Sequence, residues 1–212
     1  MHRNKMKQII ISTIIALVLL GVGLLSFAED NGRIQKEKTI IKKFNQGQYK
    51  FPLTVNSFVK DLGNPDSTFT DDNKSCPVGQ IHTWCIRSQN LNLLVLGDVY
   101  KPKVNYSAAS RLFAVAKCDS ANDTSFSGLW GIKLGEPEKE VNQKLSQIQN
   151  QNKKIILKKD IKGTPLHVVF NGFSISHHHS IQKGNLYFYF IFNKQGRLEV
   201  IVQSSFDLSI VC

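Results

Sequence analysis

Leu186-Tyr-Phe-Tyr-Phe-Ile-Phe-Asn193, then the short link Lys194-Gln-Gly-Arg197, then Leu198-Glu-Val-Ile-Val-Gln-Ser-Ser205, is the stretch that decides the fold class. Two runs rich in aromatic and β-branched residues around a Gly-containing link read as an antiparallel hairpin. Side chains alternate across a strand, so Leu186, Phe188, Phe190 and Phe192 share one face and Tyr187, Tyr189 and Ile191 the other. The first set is expected to meet a helix, joined by Leu198, Val200 and Val202. The opposite side then holds Glu199, Ile201 and Gln203, with Leu94, Leu96, Phe113, Val115 and Lys117 from earlier strands.

Upstream, Ile34 to Phe44 and Thr54 to Leu62 show helical spacing, the second punctuated by Gly63-Asn64-Pro65. Extended segments follow at His82 to Ser88, Leu91 to Val99 and Arg111 to Lys117. The order then recurs, with a helix from Glu136 to Gln149 and strands at Leu166 to Ile175, Leu186 to Asn193 and Leu198 to Ser205. Residues recur with it. Ser57-Phe-Val-Lys-Asp-Leu62 matches Glu140-Val-Asn-Gln-Lys-Leu145 in helical spacing. Asn92-Leu-Leu-Val-Leu parallels Asn185-Leu-Tyr-Phe-Tyr, and Arg111-Leu-Phe-Ala-Val-Ala parallels Arg197-Leu-Glu-Val-Ile-Val. The expected architecture is α+β: two tandem units, each a helix plus a three-stranded antiparallel sheet, at residues 29–118 and 128–212, joined by a polar linker at 119–127.

Residues 1–28 carry a separate message. Arg3, Lys5 and Lys7 precede an uncharged apolar run from Ile9 to Leu25, and Ser26-Phe27-Ala28 supplies small residues for cleavage. This is the pattern of an export signal, with the cations held on the cytoplasmic side. The alternative is an uncleaved anchor in the inner membrane, because the run approaches the length that spans a bilayer. Either way the remainder is expected outside the cytoplasm, periplasmic or secreted. Loss of the segment leaves 24 basic against 16 acidic side chains, a formal charge of +8 instead of +11. A basic surface favours anionic partners, an acidic protein, lipopolysaccharide or phospholipid headgroups, whereas the compartment and the lack of any nucleic-acid-binding motif argue against nucleic acid.

Cysteine usage follows the compartment. Cys76, Cys85, Cys118 and Cys212 in an exported chain read as two disulfides. Pro77 and Gly79 can turn the chain between Cys76 and Cys85, which favours that local bridge, with Cys118 joined to Cys212; sequence alone permits three pairings. No C-x-x-C redox pair, zinc helix, phosphate loop or nucleophile elbow occurs. His177-His178-His179 reads as a solvated loop between strands. No catalytic residue, metal site or cofactor is expected.

Gly131-Ile-Lys-Leu-Gly135, with Glu136-Pro-Glu-Lys-Glu-Val-Asn-Gln-Lys-Leu145 and the hairpin ending Phe192-Asn-Lys-Gln-Gly-Arg-Leu198, resembles the repeat of β-lactamase inhibitory protein and of the related small lipoprotein of the outer-membrane barrel assembly machine. The resemblance covers 128–205 well and 48–118 loosely. It departs at Gln147 to Gln151, where a glycine-proline helix exit is expected, and it lacks the lipoprotein's modified cysteine. It implies a tandem fold whose concave sheet face grips a partner. Strand alternation puts Tyr187, Tyr189, Ile191, Ile201, Phe113 and Lys117 on that face, which either binds the partner or packs on the other repeat or the first helix. The functional expectation is an exported, non-catalytic binding or inhibitory protein. A membrane-retained assembly scaffold and a small exported hydrolase are the alternatives. N-terminal sequencing of native protein is expected to begin near Glu29; recovery of the intact start in washed membranes would establish the anchor instead.

Overall fold

The computed structural model describes residues 31–47, 49–70, 80–96, 109–110, 112–117, 126, 128–161, 175–205 and 207–208. The expected export signal or anchor at 1–28 lies outside them, as do Cys76, Cys118 and Cys212 and hence the expected disulfide pairing. Among the described residues no helix is long and apolar enough to cross a membrane.

The helices follow the apolar spacing. α1, residues 31–45, buries Glu37, Ile40, Ile41 and Phe44. α2, Val55–Leu62, buries Val55, Phe58 and Leu62 and stops at Gly63, whose φ of 83° suits glycine. α3, Glu138–Gln151, buries Val141 and Leu145 one turn apart. It starts two residues later than expected. Pro137 is extended and bridges Arg197, so the chain joins the helix only at Glu138, where Glu138 and Glu140 oppose the positive end of the helix dipole.

The strands are β1 (Leu53–Thr54), β2 (Ser67–Thr70), β3 (Gln80–Ile86), β4 (Leu91–Leu96), β5 (Ala109–Ser110), β6 (Leu112–Lys117), β7 (Ile155–Ile161), β8 (Ile175–Lys183), β9 (Leu186–Asn193) and β10 (Leu198–Ser204). β1 and β5 form a small pair. The other eight make one antiparallel sheet in the order β2-β3-β4-β6-β10-β9-β8-β7. The α+β class is as expected. The count of three strands per unit is not, because β2 and β7 each add an outer strand. β7 went unseen because Lys158, Lys159 and Asp160 interrupt its apolar pattern. The strand expected at Leu166 to Ile175 is described only from Ile175, in β8, which runs on through the three histidines instead of leaving them in a loop.

All three helices lie on one face of the sheet, over a core that draws on both halves of the chain, from Trp84, Leu93, Phe113 and Val115 to Phe188, Phe190 and Phe192. Phe126, at the end of the expected linker, is buried against Phe44. The facing of β10 departs from simple alternation. Leu198 pairs with Phe192 and Val200 with Ile191, so Glu199 is an extra residue, a β-bulge. One inserted residue flips every side chain beyond it. Ile201 therefore joins the helix-side core, while Val200 and Val202 turn to the other face, the reverse of the expectation. Phe113 and Val115 are likewise on the helix side.

Gly128 shows how closely the chain packs at the entry to the second half. It donates to the Ile132 carbonyl at 2.9 Å, and a Cβ there would sit 2.5 Å from that oxygen, 2.7 Å from Phe126 and 2.9 Å from Ile201. Its backbone angles suit any residue, so the restriction is steric. Gly128→Ala is expected to cost about 1–3 kcal/mol of unfolding free energy in denaturant titration, as overpacking does; an unchanged midpoint would show that the turn relaxes freely.

Candidate binding cleft

The residues expected to bind a partner separate onto two faces and lie mostly inside. Phe113 and Ile201 are fully buried under the helices. Tyr189 and Ile191 do lie on the face away from the helices, but they too are buried, in a second core with Leu94, Ala114, Ala116, Val200, Val202 and Leu208. Tyr187 is half-buried. Lys117 pairs with Leu91 at the end of β6, and its side chain is outside the description. The expected sheet-face site is thus not an open surface at Tyr189 and Ile191. Sequence alternation separates faces of a strand; it does not reveal which segments return to cover them.

Asp207 and Leu208 supply part of that cover. The Tyr189 hydroxyl donates to the Asp207 carboxylate at 2.8 Å and accepts the Leu208 backbone N–H at 2.7 Å. Lys158 of β7 stands 3.7 Å from the same carboxylate. Burial first, and the Asp207 contact second, push the Tyr189 phenol well above its ordinary range.

His178 and His179 of β8 do not converge. Neighbouring residues on a strand face opposite ways, so His179 reaches Glu138 of α3 at 3.0 Å and packs edge-on to Phe192, whereas His178 lies against the Tyr189 ring. Among the described residues no three His, Cys, Asp or Glu side chains gather as a metal site would require. Cys85 is half-buried on β3, and its backbone N–H donates to Asp66 at 2.7 Å.

Concave surface occurs elsewhere. A shallow groove of about 840 Å³ runs along α3 past the polar residues Glu138, Asn142, Gln143 and Ser146. A smaller cleft of about 370 Å³ lies between α1 and α2 and has a different character. Ile40, Tyr49 and Phe58 form its floor, and Lys36, Thr39, Lys43, Ser57 and Asp61 its rim. The floor rests on packed aromatics: the Phe58 ring stacks on Phe113 at 5.3 Å, Tyr49 lies tilted against Phe113 at 4.7 Å, and Phe58 lies tilted against Trp84 at 5.9 Å. The Tyr49 hydroxyl donates to the Ile40 carbonyl at 3.2 Å, tying the loop to α1.

The walls are held from behind. Glu37, nearly inaccessible, accepts from Arg33 at 3.2 Å and from the Ser88 hydroxyl at 2.7 Å, which locks α1 to the turn after β3. Trp84 donates to the Gly63 carbonyl at 3.0 Å and fixes the end of α2. An apolar floor within a rim of mixed charge is the general form of a recognition site. Sequence reading identified both helices but not the cleft, because their apposition depends on where each docks on the sheet.

No protein-family model and no curated protein matches the chain. Among solved structures, a cysteine-rich secretory protein from Staphylococcus aureus aligns over 73% of this chain at 9% identity with a TM-score of 0.36, and the chain spans 44% of that protein. A likeness this slight carries neither fold nor function.

Burial first, and the charge of Asp61 second, raise the Tyr49 phenol well above its ordinary value of 10.0. The folded state therefore holds a proton that the unfolded chain releases, so this contribution to stability is complete below pH 10 and is lost as pH rises further. Tyr49→Phe is expected to cost about 0.5–1.5 kcal/mol at neutral pH through the lost hydrogen bond, and to flatten the decline in stability above pH 10. Denaturant titrations across that range check both; an alkaline slope identical to that of the wild type would contradict the assignment.

Proposed function

We propose that this is an exported, non-catalytic binding protein and that the cleft between α1 and α2 takes an extended, acidic segment of a protein partner. The observation that carries the reading is the cleft itself: an aromatic and aliphatic floor for one anchoring side chain, with Lys36 and Lys43 on the rim to meet carboxylates. Opposite charge at a rim steers encounter and selects partners. The hydrolase alternative has less support there. The Ser57 hydroxyl is donated to the Thr54 carbonyl at 2.6 Å, and no histidine lines the cleft to act as its base.

The fold is read as a tandem duplication, in keeping with the resemblance to the inhibitory protein and the assembly lipoprotein. Its support is the order of elements: α2-β2-β3-β4-β6 in the first half and α3-β7-β8-β9-β10 in the second, each helix followed by four sheet strands running from an outer edge to the centre. Of the residue parallels, Leu93 to Leu96 in β4 answers Leu186 to Tyr189 in β9, and Ala114 to Ala116 in β6 answers Val200 to Val202 in β10, at equivalent places in that order. Duplication supplies a scaffold on which one copy can diverge into a site, and fold alone does not assign the function.

The test compares capture from envelope extract by the mature protein and by Lys36→Glu/Lys43→Glu, with Lys153→Glu/Lys194→Glu as the control of equal charge change. An acidic protein held by the wild type and the control is expected to bind the rim variant at least ~10-fold more weakly, because like charges then face each other. Equal retention by all three proteins would remove the cleft as the binding site.

A further inference from the structure

The outward half of α1 carries Lys36, Lys38, Lys42 and Lys43, all exposed. None of the four makes an ion pair among the described residues. The carboxylate nearest in sequence, Glu37, is turned inward and committed to Arg33 and Ser88. Lys36 and Lys43 share an edge of the cleft; Lys38 and Lys42, a turn apart, lie outside it. Their spacing spreads the charge over about 10 Å of helix. The lysine ammonium is a compact, strongly hydrated point charge, suited to a field of anions rather than to one bidentate partner.

The position of this face in the chain identifies the partner. The apolar run Ile9–Leu25 ends only six residues before residue 31, where the described helix begins. Even a fully extended link of that length reaches about 20 Å. In the uncleaved alternative, on which this inference rests, residues 1–28 are kept, and the apolar run partitions into a bilayer and holds α1 within a short distance of the headgroups, where its effective concentration at that surface is high. We propose that the lysine face of α1 docks on an anionic phospholipid bilayer, with the lysines against headgroup phosphates, so that the apolar run and the basic helix act as paired membrane signals. One such signal gives marginal attachment and two give stable attachment. The inference goes beyond the partner cleft. Loss of lipid docking leaves the cleft reading intact, and the converse holds as well.

Full-length protein is bound to vesicles of phosphatidylcholine, with or without phosphatidylglycerol, and exposed briefly to a water-soluble amine-reactive reagent. Labelling at each lysine is then read by mass spectrometry. Lys36, Lys38, Lys42 and Lys43 are expected to label roughly fivefold more slowly on the anionic vesicles, while the exposed Lys153, Lys183 and Lys194 are unaffected. About 0.5 M salt should abolish the difference by screening. Lys38→Gln/Lys42→Gln should restore the labelling of Lys36 and Lys43 without touching the cleft. Equal labelling on both vesicle types, or equal protection of all seven lysines, overturns the proposal. So does protection by soluble polyglutamate with none by vesicles, which reassigns the face to an acidic polymer. The wild-type comparison stands even if the double variant fails to fold.

Discussion

Pairing of β6 with β10 is the contact on which the rest of the molecule depends. Five residue pairs, from Val200 with Ala116 to Ser204 with Leu112, join four strands from the first half of the chain to four from the second. Without that seam each half would be a small sheet with an open edge and too little core to cover it. With it, Phe113 and Val115 lie beside Ile201 under the helices, and Ala114 and Ala116 lie beside Val200 and Val202 on the other side. The alanines allow close approach of whatever covers that face, whereas the phenylalanine anchors the aromatic group beneath α1 and α2. One strand pair thus sets both layers of the core.

Polar groups inside this structure act mainly as fasteners. Glu37 binds α1 to the turn after β3, Trp84 holds the end of α2, and His179 meets Glu138 at the start of α3. On the far face Tyr189 holds Asp207 and Leu208. Each places a hydrogen-bonding group where an unpaired one would carry a desolvation cost, so each specifies a docking position rather than adding greatly to net stability. The helices are consequently seated in one register, and the cleft between α1 and α2 has a defined floor. Among the described residues, the exposed lysines along α1 carry no such duty.

The proposed recognition lies on the helical side of the first half. A cleft with an apolar floor suits one anchored side chain, and the adjacent lysine face suits a diffuse anionic surface. The two demands share α1 but differ in geometry, since Lys38 and Lys42 lie outside the cleft that Lys36 and Lys43 border. A protein built this way would present its cleft close to a membrane, where a partner at the envelope would be met in a restricted orientation.

Local pattern in the sequence was enough for the helices and for five strands of the large sheet, β3, β4, β6, β9 and β10. Val55, Phe58 and Leu62 recur at helical spacing, and the alternation in β9 separates Phe188, Phe190 and Phe192 from Tyr187, Tyr189 and Ile191, as found. Such signals concern one element and its neighbours in the chain, so they survive without knowledge of the fold. β7 was missed because its charges mask an edge strand, and the histidines of β8 were placed in a loop because their polarity conceals a buried strand. The facing of β10 turned on Glu199, an inserted residue visible only against its partner strand. Burial of Tyr189 and Ile191, and the existence of the cleft, depend on segments distant in sequence meeting in space. Periodicity determines which side of an element a residue occupies; only tertiary packing decides whether that side faces solvent, a second core or a partner.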